Sequence, residues 1–157
     1  MKTITMQFVT EDCVDSAMIR WKTDSEISHV NLLTEDCWLQ GALMEGGIQK
    51  RPRNYAKFSL ELLVTIPVTD EQYDTFWTYA NSRVGYNYNK AGILGVALGK
   101  SITNPADSFC SEYASECIMA AGIFNIAKDV TKVDPELLRM MLMSQNGATE
   151  ERIEGAA

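Results

Sequence analysis

Residues 58–72 read FSLELLVTIPVTDEQ. Apolar residues occupy every second position of Phe58–Ile66, which is the pattern of a half-buried β-strand, and we expect this strand to end at Pro67. Gln72 follows Thr69 at the spacing of a helix capping box, and apolar residues then recur at helical intervals. A strand followed at once by an amphipathic helix predicts a fold that mixes the two.

The part of the chain before this stretch predicts more strands and one short helix. Residues 3–9 alternate polar and apolar side chains, and residues 14–21 carry apolar side chains at helical spacing. Two β-leaning segments, Ser28–Thr34 and Cys37–Glu45, are separated by turn-forming residues and predict a hairpin. Four basic residues around a proline in the segment 48–57 could form a patch for an anionic substrate, but a solvated loop is the expected structure.

The part after residue 72 predicts two further helices. One begins near Ser108 and ends at Gly122, and the next begins at Asp134-Pro135-Glu136, where an N-cap, an N1 proline and a first-turn acid stand in order. We expect residues 1–147 to form one domain and the small, acidic segment 148–157 to be a flexible tail.

Composition limits the classes of function. The 157 residues include 14 Lys+Arg and 21 Asp+Glu, a formal charge of −7, which disfavours nucleic acid and anionic membranes as partners. No signal peptide and no stretch long enough to span a membrane is visible. The four cysteines include no CxxC pair and are expected to be free thiols in a reducing compartment. The expected location is the cytoplasm or a phage particle.

His29 is the only histidine in the chain. Any mechanism that needs one imidazole must use it, and any site that needs two is excluded. A structural zinc site would have to combine His29 with cysteines at 13, 37, 110 and 117, whose spacing lacks the paired knuckle of such sites. We therefore expect no metal.

Cys110 is predicted to lie in the first turn of a helix, with Asp107 or Ser108 as N-cap. The unpaired backbone N–H groups and the positive end of the helix dipole favour a thiolate there and could stabilise an oxyanion. A buried structural role is the alternative, because Cys110 shares an apolar stripe with Tyr113 and Cys117.

His29 is predicted to lie on a strand, with Asn31 on the same face. A lone strand histidine is usually structural. A catalytic role needs an acceptor for one ring nitrogen, and Glu45, at the end of the next predicted strand, could supply it. An exposed charge before a turn is the alternative for Glu45.

The order of these motifs resembles the circularly permuted branch of the NlpC-type papain-like cysteine hydrolases, which includes YiiX-like proteins and the lecithin:retinol acyltransferase group. The resemblance extends from about residue 18 to residue 142. It departs from the family pattern at Asn31 and Gly46, where the family usually has Gly and Ala. The motifs that carry it are Ser28-His29-Val30, a strand ending in Glu45, Val84-Gly85-Tyr86 and Phe109-Cys110-Ser111-Glu112.

The resemblance implies an α+β, permuted papain-like domain in which a small antiparallel sheet packs against helices. It also implies a catalytic triad of Cys110 as nucleophile, His29 as base and Glu45 as orienting acid, with no cofactor. The expected activity is hydrolysis of an amide bond in peptidoglycan or another peptide, through a thioester. A thioesterase or acyltransferase acting on lipid, and a non-catalytic binding or virion structural module, are the alternatives.

Overall fold

The computed structural model describes residues 1–11, 24–43, 46–88, 107–108, 110–126, 129–130 and 133–153. They form an α+β fold, as expected, with eight strands and three helices. In chain order these are β1 (Lys2–Glu11), β2 (His29–Leu33), β3 (Trp38–Leu43), β4 (Gly47–Pro52), β5 (Phe58–Val68), α1 (Asp70–Ser82), β6 (Asn87–Tyr88), β7 (Asp107–Ser108), α2 (Cys110–Ala120), α3 (Pro135–Met143) and β8 (Thr149–Ile153).

Six of the strands form an antiparallel sheet in the order β4-β3-β2-β1-β5-β8, while β6 and β7 pair in parallel beside it. The long strands β1 and β5 pair along almost their whole length and form the middle of the sheet. β2 pairs with β3 only at Leu32 and Leu33, although β3 continues to Leu43. The register pairs between β2 and β3 therefore lie at the end of β2.

The two faces of the sheet have different neighbours. Phe8 of β1 lies opposite Val30 of β2, and both belong to the hydrophobic core that the sheet forms with the helices. We call this side the helix face. Because side chains alternate along a strand, Gln7 of β1 and its register partner Asn31 point to the other side, which we call the opposite face.

Helix α2 lies against β2 and β3 on the helix face. The side-chain amide of Gln40 in β3 donates to the hydroxyl of Tyr113 in α2 at 2.8 Å and to the carbonyl of Ala80 in α1 at 3.0 Å. Tyr113 in turn donates to the same carbonyl at 3.0 Å. These bonds satisfy buried polar groups and fix α2 relative to both the sheet and α1.

Local sequence signals explain where α1 and α3 begin. The Thr69 hydroxyl accepts from the backbone N–H of Gln72, whose side chain accepts from the backbone N–H of Thr69, so the predicted capping box is confirmed. The Asp134 carboxylate caps α3 by accepting from the backbone N–H of Leu137 at 2.8 Å. Both caps satisfy helical N–H groups that would otherwise lack an intrahelical partner.

Three expectations differ from the structure. The segment predicted to be a loop after residue 47 is β4, an edge strand whose charged side chains are typical of sheet edges. β5 continues through Pro67, which is tolerated because its pairing with β8 has already ended at Thr65. Residues 149–153, expected to be part of a flexible tail, form β8 and pair with β5.

Other expectations fall on residues that the structure does not describe. These are the short helix predicted at 14–21 and the orienting acid Glu45. In the described part of the chain, no helix combines the length and the apolar character that a membrane span requires.

The buried thiol of Cys117 gives a prediction about stability at alkaline pH. Burial raises the pKa of this thiol above its ordinary value of 9.0. Above pH 9 the unfolded chain therefore releases a proton that the folded chain keeps, so the free energy of unfolding should fall, by up to about 1.4 kcal/mol per pH unit. Urea titrations between pH 7 and pH 10 measure this slope.

Cys117→Ala should make the fall between pH 9 and pH 10 shallower. Cys37→Ala is the matched control, since Cys37 is exposed and should leave the slope unchanged. Equal slopes in the Cys117 variant and the parent would contradict the prediction.

Candidate functional site

Cys110 is the first residue of α2, so its thiol lies in the first helical turn as predicted. It is 2% exposed and belongs to the core that includes Cys117. The predicted N-cap residues Asp107 and Ser108 form β7 and pair with β6, and the capping of α2 lies outside the described residues. The position combines the features of a helix-terminal nucleophile with those of a buried structural thiol.

His29 is the first residue of β2 and lies opposite Val9 of β1. Its side chain is buried, at 5% exposure. The ring nitrogen Nε2 is 2.9 Å from the Oδ1 atom of Asn31, two residues further along the same strand. Alternation places both side chains on the same face, which is why they can meet.

The structure places the elements of Cys110 and His29 side by side, since α2 packs on β2. Strand alternation, however, directs the imidazole to the opposite face, while the Cys110 thiol belongs to the core on the helix face. Each residue begins its element, and β2 is not paired with β3 at His29.

A row of buried polar side chains continues from His29 across the sheet. The Nδ2 atom of Asn31 donates to Oε1 of Gln7 at 3.0 Å, and Nε2 of Gln7 donates to Oε1 of Glu61 at 2.8 Å. The same Glu61 oxygen accepts from Nη2 of Arg53 at 2.9 Å and from its Nε at 3.3 Å. We call this row of five residues, on strands β2, β1 and β5 and the segment before β5, the polar network.

The polar network is deeply buried at its centre and reaches solvent at one end. Gln7 is 0% exposed and Asn31 2%, whereas the side chains of Glu61 and Arg53 are 15% and 38% exposed. Two buried amides that bond to each other must be oriented consistently, because each presents a donor on one side and an acceptor on the other.

Gly41 of β3 makes room for the amide of Asn31. A Cβ atom at position 41 would lie 2.3 Å from Oδ1 of Asn31, closer than any normal contact. The glycine is therefore part of the packing that holds Asn31 against His29.

Glu45, the predicted orienting acid, lies outside the described residues. Among the described side chains, Asn31 lies at hydrogen-bond distance from a ring nitrogen of His29. In the sequence, Asn31 was placed on the same strand face as His29 and noted as a departure from the family pattern, but no role was assigned to it. The signal that could have identified the network is the presence of amide side chains, Gln7 and Asn31, at the centre of otherwise apolar strands.

Comparison with solved structures finds chains of similar fold. The crystal structure of the metalloprotein YiiX from Escherichia coli O157:H7 superimposes with a TM-score of 0.65, covering 99% of this chain and 89% of that chain at 15% sequence identity. The described part of this chain contains no group of three or more His, Cys, Asp or Glu side chains that could hold a metal ion.

Sequence comparison adds nothing to this relationship: no family model matches the chain, and no curated protein matches it. At this level of identity the similarity concerns the fold alone. The chain therefore has a YiiX-like α+β fold, in which the predicted nucleophile begins a helix that packs on the strand of the single histidine.

Proposed function

We propose that the protein is a cysteine hydrolase of the permuted papain-like type, with Cys110 as nucleophile and His29 as general base. The observation that carries the proposal is the hydrogen bond between Nε2 of His29 and Oδ1 of Asn31, at the start of the strand on which the Cys110 helix packs. A buried imidazole held by an amide at one nitrogen is oriented to use the other nitrogen for proton transfer.

In this proposal Asn31 takes the orienting role that the resemblance assigned to Glu45. We assign the exchange of a proton with the thiol to Nδ1, the ring nitrogen that is not bonded to Asn31. A Cys-His-Asn set is one of the recurring variants of the nucleophile, base and orienting group.

The reaction proceeds in two stages. Nδ1 of His29 removes the proton of the Cys110 thiol, the sulfur attacks the substrate carbonyl, and the imidazolium returns the proton to the leaving amine as the C–N bond breaks. A thioester remains on Cys110. His29 then takes a proton from water, the resulting hydroxide displaces the sulfur, and the thiolate is reprotonated by the imidazolium.

The proposed substrate class is an amide in peptidoglycan or another peptide, as the resemblance implies. Esters or thioesters of lipids are the alternative substrates for the same chemistry, since both present an acyl carbonyl to a thiol. The formal charge of −7 disfavours strongly anionic substrates.

A non-catalytic module is the second candidate, and two observations favour it. Cys110 is only 2% exposed, and strand alternation directs His29 away from the face on which the thiol is packed. A protein that kept the fold for binding would need neither an accessible thiol nor a meeting of the two groups.

Alkylation with iodoacetamide at neutral pH, mapped by peptide mass spectrometry, distinguishes the two candidates. If the protein is an enzyme, iodoacetamide should modify Cys110 faster than the exposed Cys37. His29→Ala should then slow the alkylation of Cys110 about 10- to 100-fold, because the base that supplies the thiolate is lost. Cys117, whose pKa is raised by burial, should stay unmodified until the protein unfolds.

Variants of Asn31 provide a matched pair for the same assay. Asn31→Asp loses the bond that Nδ2 donates to Gln7 but keeps an acceptor at Nε2 of His29, and it should preserve fast alkylation. Asn31→Leu removes the acceptor and should slow the reaction. If Cys110 is alkylated as slowly as Cys117, and at the same rate in His29→Ala as in the parent, the result would contradict the hydrolase proposal and support the non-catalytic module.

A further inference from the structure

We infer that Glu61, through Gln7 and Asn31, is a positioning residue that fixes the proton of neutral His29 on Nε2 and so leaves Nδ1 as the basic nitrogen. The inference deepens the proposed function and rests on it for its catalytic consequence. The position of the proton itself follows from the direction of the hydrogen bonds in the polar network.

The direction is set at the solvent end of the network. Oε1 of Glu61 accepts two bonds from Arg53, at 2.9 and 3.3 Å, and one from Gln7, at 2.8 Å. A carboxylate can only accept, so Gln7 must turn its amide nitrogen toward Glu61. The carbonyl oxygen of Gln7 is then directed to Asn31.

The orientation of Gln7 determines the orientation of Asn31 and the protonation of the imidazole. Oε1 of Gln7 accepts from Nδ2 of Asn31 at 3.0 Å, which directs Oδ1 of Asn31 to the ring at 2.9 Å from Nε2 of His29. Because Oδ1 is an acceptor, Nε2 must carry a hydrogen. In the neutral ring the lone pair is then on Nδ1.

Burial makes this direction costly to reverse locally. Gln7 is 0% exposed, Asn31 2% and His29 5%, so an amide that turned over alone would place donor against donor without water to compensate. A change of direction has to involve both amides and the imidazole, and Glu61, which can only accept and is bonded to Arg53, allows only one direction.

NMR of protein labelled with 15N in the imidazole ring tests the inference, and His29 gives the only such signals because the chain has one histidine. At mildly alkaline pH, the parent should show a protonated Nε2 and an unprotonated Nδ1. Glu61→Lys replaces the acceptor by a donor, so Gln7 and Asn31 should both turn over and the proton should move to Nδ1.

Two further variants make the test robust. Glu151→Lys makes the same change of charge at an exposed residue of the neighbouring strand β8, and should leave the proton on Nε2. Glu61→Gln keeps the shape of the side chain and permits both directions of the hydrogen bonds, so it should give a mixture of the two tautomers. It provides the test if Glu61→Lys does not fold. A proton on Nδ1 in the parent, or the same tautomer in the parent and both Glu61 variants, would overturn the inference.

The alkylation rate of Cys110 in the same variants separates this inference from the proposed function. If Glu61→Lys moves the proton and slows alkylation about tenfold while Glu151→Lys does neither, both stand. If the proton moves and alkylation is unchanged, the network controls the tautomer as inferred, but His29 is not the base of Cys110.

Discussion

Replacing Cys110 by Ala should reduce the hydrolytic activity by at least about 10³-fold, the scale on which nucleophile removal acts in enzymes of this kind. His29→Ala should cost a similar factor, because a thiol without its base attacks slowly. The double variant should be no less active than either single variant, since nucleophile and base act as a unit. Release of amine from purified peptidoglycan fragments, and of thiol from short-chain acyl thioesters, measures the activity on the two substrate classes.

Cys117→Ala is the matched control for this experiment. Cys117 lies on the same helix and in the same core as Cys110, so its removal tests whether losing a buried thiol from α2 is enough to impair the protein. It should retain the activity of the parent. Hydrolysis that survives Cys110→Ala, or that is lost equally in Cys117→Ala, would contradict the assignment of the nucleophile.

Gly47→Ala should lower the free energy of unfolding by about 3–4 kcal/mol, which is the sum of the cost of backbone strain and the cost of a steric clash. Gly47 has a φ of +67°, and a Cβ atom there would lie 1.9 Å from the carbonyl oxygen of Tyr86. That oxygen accepts from the backbone N–H of Ile48 at 2.8 Å, and Gly85 donates to the carbonyl of Ile48 at 2.8 Å. The methyl group would force apart the chain segments that these two bonds join.

Gly122→Ala separates the strain from the clash. Gly122 has a similar φ of +63°, but a Cβ atom there would meet nothing within 4 Å. Its substitution should therefore cost only the strain, about 1 kcal/mol. Urea denaturation of the two variants measures the difference, and equal losses would show that the contact with Tyr86 does not restrict position 47.

The sequence predicted the elements with strong local signals. β5 has unbroken alternation of apolar residues, and α1 and α3 each begin with a capping arrangement that the structure confirms. The hairpin of β2 and β3 is also confirmed. These signals are local, so they are readable without knowledge of the neighbours.

The wrong predictions concern segments whose structure depends on the neighbouring strands of the sheet. β4 and β8 lie at the two edges of the sheet, and their charged side chains match the composition of loops as well as that of edge strands. Pro67 is acceptable inside β5 only because β8 does not pair beyond Thr65. Neither fact is visible in the residues themselves.

The candidate site was also predictable only in part. The position of Cys110 at a helix start was predictable from helix periodicity, and that of His29 on a strand from its apolar neighbours. The role of Asn31 was not, because its bond to Gln7, and the continuation from Gln7 to Glu61, depend on strand pairing. The catalytic function of these residues remains a prediction.

The proposed reaction requires that Cys110 form a thioester with its substrate. The most direct measurement is mass spectrometry of the protein after brief reaction with peptidoglycan fragments or an acyl thioester and acid quenching. We predict an added acyl mass on the peptide that contains Cys110, removed by hydroxylamine and missing in Cys110→Ala. No adduct with any substrate, or an adduct confined to another cysteine, would contradict the account.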